Sequence, residues 1–357
     1  MIHASKTRMK ILFLSSGDRV PSSRFRILPY LKHFRADGHQ VVLARSFPAK
    51  YDYFPWMGFR PSQLLKRGVR WWHWLRSRLS AFDIVFIDRE IFDNETTDME
   101  ERFHESCKRL VIDLDDAIFL RYPDKFPKLM QLADLVVCGN RFLMEHVAPM
   151  NAHRCHVPTC VDMDDYPPRE EIRNARPIVG WMGTAGNVGY LKVAAEALRI
   201  VAKEVPFELR LVVPDIGLLK DMDLSGVNLV HEPWQPANEV KQLQQFDVGL
   251  MPLFPDQKWD IYKCGLKLIQ YLAVAVPGIA APVGVNTEIL DGNQNGMAAQ
   301  TTEEWVHALR TLLASESLRR QMGHRGRQTV TERYSIQANY PVLRDALLET
   351  LSSPRNS

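Results

Sequence analysis

Apolar positions in this chain come as short runs separated by longer stretches of helical period. From Met9 the first run is ILFLSS. It is followed by SSRFRILPYLKHFRADGH, whose spacing predicts a helix with Ser22 and Ser23 as caps. QVVLARSF, DIVFIDRE, RLVIDLDD and DLVVCGN repeat the pattern, each ending in polar residues, so five parallel strands are predicted; HRCHVPTC reads as a strand crossing to a linker. Residues 162–177, DMDDYPPREEIRNARP with the flanking charges, are rich in proline and charge and mark that linker. Strand runs resume with IVGWMG and continue with ELRLVV, VNLVHEPW, VGLMPLF and PGIAAPV, alternating with helical segments at 188–204 and 263–275. The expectation is an α/β protein of two doubly wound, Rossmann-like domains facing a central cleft. The first spans 9–165 and the second 176–334, and a helical tail, 335–357, packs back on the first. Ligands of such sheets lie beyond the carboxyl ends of the strands.

Composition narrows the class. With 46% hydrophobic and 24% charged residues, no repeat and no low-complexity tract, the chain has enough apolar material for two cores and is not disordered. No apolar run reaches the roughly 18 residues of a spanning helix, and MIHASKTRMK lacks the apolar centre of a signal peptide, so a cytoplasmic location is expected. Five scattered cysteines suggest reduced thiols, not a disulfide framework. Forty-five basic against forty-two acidic side chains leave a net charge of +3, too small to mark a nucleic-acid-binding surface, and no nucleic-acid partner is expected.

Several segments, in order, resemble one family. GHQV after the first helix, VPTCVDMDDYPP between the domains and above all KCGLKLIQYLAVAVPGIAAPVGVNTEIL are similar to segments of the GT-B glycosyltransferases, and within them the retaining family 4, and GWMGTAGNVGYL at the opening of the second domain is similar to a glycosyltransferase subgroup with tryptophan and glycine there. The resemblance implies sugar transfer from a nucleotide-sugar co-substrate, UDP- or GDP-linked, with no other cofactor. The second domain would bind the donor and the first a glycan or lipid-linked acceptor, as in polysaccharide assembly. Two family glutamates are replaced by Tyr262 and Gln270, and WMGTAGN lacks the family's cation. Gln270 retains hydrogen-bonding capacity for ribose hydroxyls. An epimerase or phosphorylase of the same fold, or a degenerate paralogue that binds nucleotide sugar without turnover, stands as the alternative.

Departure of a nucleoside diphosphate builds negative charge, which cations and free helix amides stabilise. A helix opening near Lys263 would direct the amides of Cys264, Gly265 and Leu266 at the diphosphate, with Lys263 and Lys267 one turn apart on the same face; the alternative is a solvated surface helix. Lys267 is the catalytic candidate of this set. Gly183 and Thr184, at a strand-to-helix turn, are expected to wall the donor site, and Glu288 closes the matching loop. In the first domain Gly17, Arg24 and Arg26 form the expected phosphate or acceptor wall. Of Asp113, Asp115 and Asp116, a D-x-D at the end of strand four, Asp116 and then Asp113 are the candidate catalytic carboxylates that orient hydroxyls, with helix capping as the alternative. No metal is expected there, nor at His153, Cys155, His156 and Cys160, whose spacing is too compact for paired ligand knuckles. Residues 56–79 carry arginines and tryptophans and no acid, an interfacial composition that suits peripheral contact with an anionic membrane on its inner face. The competing reading packs the tryptophans inside and leaves the arginines wet.

Overall fold

The computed structural model describes residues 8–170 and 174–355. The start read as lacking a leader (residues 1–7) and residues 171–173 of the expected linker lie outside the described residues. The chain divides into two compact units, Met1–Thr159 with Asn339–Ser357, and Cys160–Ala338. Each is described by itself.

The first unit holds one six-stranded parallel sheet: β1 (Lys10–Ser15), β2 (Gln40–Arg45), β3 (Phe82–Asp88), β4 (Cys107–Leu114), β5 (Leu135–Cys138) and β6 (Arg154–His156), in the order β2-β1-β3-β4-β5-β6. Its strands are apolar almost throughout because helices cover both faces, and Phe13 packs at 5.7 Å from Phe34 and 5.1 Å from Phe86, ring centre to ring centre. The order turns back between β1 and β3, so the crevice opens where Ser15 and Asp88 end their strands. Residues 339–355 belong with this unit: Leu343 and Leu347 are buried, the Tyr340 hydroxyl donates to Asp37 at 2.9 Å, and Arg109 Nε donates to the Thr350 carbonyl at 2.8 Å. Ser22 and Ser23 do not cap the first helix, which runs Pro21–Arg26 from Val20; the Ser23 hydroxyl instead donates to the buried carboxylate of Asp88.

The second unit repeats the plan with β7 (Ile178–Met182), β8 (Glu208–Val213), β9 (Asn228–Pro233), β10 (Val248–Met251), β11 (Gly278–Ala280) and β12 (Gly296–Ala298), ordered β12-β11-β10-β7-β8-β9 and parallel at every pairing. β12 was not expected from the sequence: three residues, GMA, carry too little pattern, and the strand exists because β11 offers it a ladder. The turning point lies between β7 and β10, which brings the loops after Met182 and Met251 to one crevice.

Candidate active site

In the second unit that crevice gathers most of the residues singled out for donor binding. Gly183 follows β7, and a side chain there would strike the Trp181 ring, 2.3 Å from the nearest ring atom. The Trp181 ring in turn lies under Lys267, whose ammonium is 5.7 Å from the ring centre, while Lys263 stands 5.3 Å over Tyr190. Thr184 accepts from the Asn187 side chain at 3.1 Å, which fixes the turn that opens a short 3-10 segment, Ala185–Leu191. Asp260 is fully buried; it accepts from the Tyr190 hydroxyl and, at 3.0 Å, from the Phe254 amide, so one carboxylate ties the loop after β10 to the turn after β7. Sequence reasoning passed over Asp260, because nothing in its local context distinguishes it from a surface acid.

The helix does not open at Lys263. It runs Leu266–Ala273, with Gly265 as the residue before it in the left-handed conformation at φ +65°. The Ile269 amide makes the first bond of the helix, to the Gly265 carbonyl at 3.1 Å, so the amides free of helical partners belong to Leu266, Lys267 and Leu268, in place of Cys264, Gly265 and Leu266. The shift has a conformational cause. Gly265 reverses the chain, and any larger residue would be strained and would meet Ile289 at 2.3 Å. Val285, Asn286 and Ile289 press against the same glycine, which sets Glu288, on the short helix Asn286–Ile289, beside this turn. Lys267 has no hydrogen bond or ion pair among the described residues, and burial together with the neighbouring Lys263 lowers its pKa to about 8.

Gln270 departs from its expected role. It is buried, and its amide donates at 2.9 Å both to the Tyr166 hydroxyl and to Glu239 Oε1, while Trp234 Nε1 donates to the other Glu239 oxygen at 2.9 Å. The donors meant for ribose serve a buried carboxylate instead, because Glu239 must be hydrogen-bonded once it leaves water. Tyr262 ends the short helix Lys258–Ile261.

In the first unit, two expected site residues neutralise each other. Arg26 grips Asp113 through two parallel bonds, Nε to Oδ2 at 2.6 Å and Nη2 to Oδ1 at 2.7 Å, and both side chains are 2% exposed. Burial nevertheless pushes the Asp113 carboxyl up to about 6, against the pull of Arg26. Neither is open to an acceptor, which corrects the expectation that Arg26 and Asp113 face ligand. Asp115 is paired with Arg89, and Arg89 Nη2 lies 3.7 Å from Asp116, so this D-x-D is charge-compensated by protein. Burial raises the Asp115 carboxyl and Arg89 lowers it more, leaving it below its ordinary value. Asp116 is half-buried, Gly17 makes the turn after β1 at φ +132°, and Arg24 lies on the first helix against Phe25, 4.9 Å from the ring centre. Among the described residues no group of three or more metal-ligating side chains is brought together.

The helix Phe59–Ser80 inverts the usual polarity. Ser62, Lys66, Arg70 and Ser77 make its buried face, with Arg70 donating to the carbonyls of Ser15 at 2.7 Å and Ala44 at 3.0 Å. Trp72 is 63% exposed, Leu79 79%, and the preceding Trp56 79%. Trp71, Leu64 and Leu75 are exposed on the same side. The arginine and lysine, not the exposed tryptophans, reach beneath the helix, because the Ser15 and Ala44 carbonyls of β1 and β2 and the Lys50 carbonyl of the loop that follows need donors.

Two doubly wound units of this kind define the GT-B architecture. The chain superposes on sucrose-phosphate synthase from Thermosynechococcus elongatus with a TM-score of 0.72 at 12% identity, over 97% of this chain and 100% of that one. It superposes on a glycosyltransferase from Rickettsia africae with a TM-score of 0.69 at 13% identity, over 98% and 100%. For the catalytic domain of starch synthase IV from Arabidopsis thaliana, bound to ADP and acarbose, the TM-score is 0.67 at 11% identity, over 97% and 100%. More particularly, residues 225–344 match the family model described as glycosyl transferase-like. No curated protein sequence matches the chain. The protein therefore has the GT-B fold, and the glycosyl transferase-like match falls mostly in its second unit.

Proposed function

We propose that the protein transfers a sugar from a nucleotide-sugar donor, bound at the β7 and β10 crevice of the second unit, to a glycan or lipid-linked acceptor. The observation that carries this reading is Lys267, a cation with no ion pair among the described residues, seated on an aromatic ring at the free amino end of a helix where a polyanion is favoured. The diphosphate would meet Lys263, Lys267 and the amides of Leu266, Lys267 and Leu268, which stabilise the charge that grows as the anomeric bond breaks. Transfer proceeds with retention: the departing phosphate takes the acceptor proton on the same face, and no protein nucleophile is used. Nucleotide release from a panel of UDP, GDP and ADP sugars, with and without glycan acceptors, tests the assignment, and proton NMR of the product reports the anomer. Release that depends on acceptor is expected. Sugar isomerisation or phosphate-dependent release would instead indicate an epimerase or phosphorylase, and binding with no release a degenerate paralogue.

The outward face of the helix Phe59–Ser80, with Trp56, supports a second proposal, that this unit rests on an anionic membrane surface. Exposed Arg60, Arg67, Arg76 and Arg78 contribute about 1 kcal/mol each near such a surface. Among the described residues no helix is long and apolar enough to cross a membrane, so the contact is peripheral.

A further inference from the structure

The loop leaving β3 is held more firmly than a connection requires. Arg89 adopts φ +60°, which costs about 1–2 kcal/mol for a residue with a side chain, and it is fixed by Asp115 and by its own amide on the Asp113 carbonyl at 3.0 Å. Glu90 is paired with Lys50, both buried. The Ile91 amide donates to Glu100 at 2.8 Å, and the Phe92 carbonyl accepts from Lys125 at 3.2 Å, Lys125 being itself paired with Glu100 at 2.8 Å. Buried ion pairs add little net stability over apolar replacements, so what they supply here is position. The residue they position is Asp93.

Asp93 is the next residue in the chain, and its side chain is 34% exposed. Its Oδ1 accepts from the Tyr122 hydroxyl at 3.1 Å and lies 3.9 Å from Lys50 Nζ, while Oδ2 has no partner among the described residues. Burial, with Asp93 and Glu90 nearby, raises the Tyr122 hydroxyl above its ordinary value and keeps it a donor. Beside Asp93 stands the ring of Tyr51, 45% exposed, with Lys50 Nζ 5.6 Å and Arg121 Cζ 6.0 Å from its centre and its hydroxyl 3.4 Å from Arg89 Nη1. Glu90 Oε2 is buried and has no hydrogen-bond partner among the described residues. Lys50 is offset by Glu90 and Arg89 by Asp115 and Asp116, and Lys66 lies near enough to Asp93 to feel its charge, so with Arg121 the acids and bases around the loop balance and the net charge is near zero. A carboxylate oxygen with no partner among the described residues, an exposed guanidinium and a partly exposed aromatic ring suit a neutral ligand with hydroxyl donors and acceptors on its edge and C–H groups on its face.

We propose that Asp93, Arg121 and Tyr51 form a subsite for a neutral pyranoside, Asp93 accepting from its hydroxyls and Tyr51 lying under its apolar face. On the transferase reading, on which the name rests, this is the acceptor subsite of the first unit. Saturation-transfer NMR with methyl glycosides of glucose, galactose, mannose and N-acetylglucosamine, on the whole protein, reads it directly. At least one glycoside is expected to bind, with an affinity at least tenfold lower in Asp93→Ala and in Tyr51→Leu, while UDP affinity stays as in the unaltered protein. Asp93→Asn, which keeps the shape, should weaken binding less. Absence of binding to every glycoside, or equal binding by the Asp93 and Tyr51 variants, overturns the subsite. In the nucleotide-release assay the same variants should raise the acceptor KM and leave acceptor-free donor hydrolysis unchanged. Glycoside binding that needs Asp93 in a protein that releases no nucleotide would uphold the subsite and defeat the transferase reading alone.

Discussion

A single lysine separates the donor-site reading from a solvated helix. Lys267 loses its proton near pH 8, not near 10.5, because burial and Lys263 disfavour its charged form. Diphosphate binding requires the ammonium, so UDP affinity should fall as pH rises from 7 to 9.5, whereas uridine affinity should hold; isothermal titration across that range reads both. Lys267→Ala should cost UDP about tenfold or more and uridine little, and equal losses for the two ligands would contradict a phosphate role. Arg26 and Asp113 make the opposite case, of charge committed to structure. Arg26→Met strands a buried carboxylate and should destabilise by about 3–5 kcal/mol. The Asp113 carboxyl titrates near 6 even with Arg26 present, above its ordinary 3.8, and without that partner it moves higher. The folded variant then holds a proton that the unfolded chain releases, so its stability is greater at pH 5 and is lost as pH rises through the folded pKa. Thermal melts at pH 5 and 8 measure this, and Asp113→Asn in the same variant should recover part of the loss.

At the scale of elements, two helices carry the functional reading, and each has a local cause. The helix Leu266–Ala273 starts where it does because Gly265 accepts a left-handed backbone. Gly265→Ala should destabilise by about 1–2 kcal/mol through strain and contact with Ile289, and should weaken UDP binding by displacing the free amides. Denaturant titration and nucleotide binding together check it. The helix Phe59–Ser80 buries its polar side, so Arg70 is structural and cannot be the membrane contact. Vesicles rich in anionic lipid should pull the protein down at low salt, and replacing Arg67, Trp71 and Trp72 together should abolish this with no change in melting temperature. No pull-down by the unaltered protein at low salt would remove the membrane proposal.

On the scale of the molecule, each unit is a complete parallel sheet with its own covering helices, but the first is not contiguous in sequence. Residues 339–355 supply Tyr340, Leu343 and Leu347 to its interior and several hydrogen bonds besides. Ending the chain at Ala338 removes three buried apolar side chains, worth about 1.5–3 kcal/mol each, and should lower the stability of the first unit by about 5 kcal/mol. Limited proteolysis should then cut within residues 8–159 well before it cuts 160–338; equal resistance of the two units would show the tail to be dispensable.

Fold class and the order of elements were legible in the sequence because apolar runs of strand length and helical spacing are local patterns. The resemblance carried by KCGLKLIQYLAVAVPG pointed to the loop and helix of the second unit that the structure places at its crevice. Sequence alone also marked residues 56–79 as basic and aromatic. It did not reveal which face of that helix is wet, since polarity around a helix does not say which groups the neighbouring strands need satisfied. Nor did it show that Arg26 and Asp113, 87 positions apart, are consumed by each other, that Glu239 claims Gln270, or that Lys50, Glu90, Asp93 and Tyr122 meet around one loop. Those are encounters between distant positions, and a side chain's role follows from the partner that reaches it, which only tertiary structure decides.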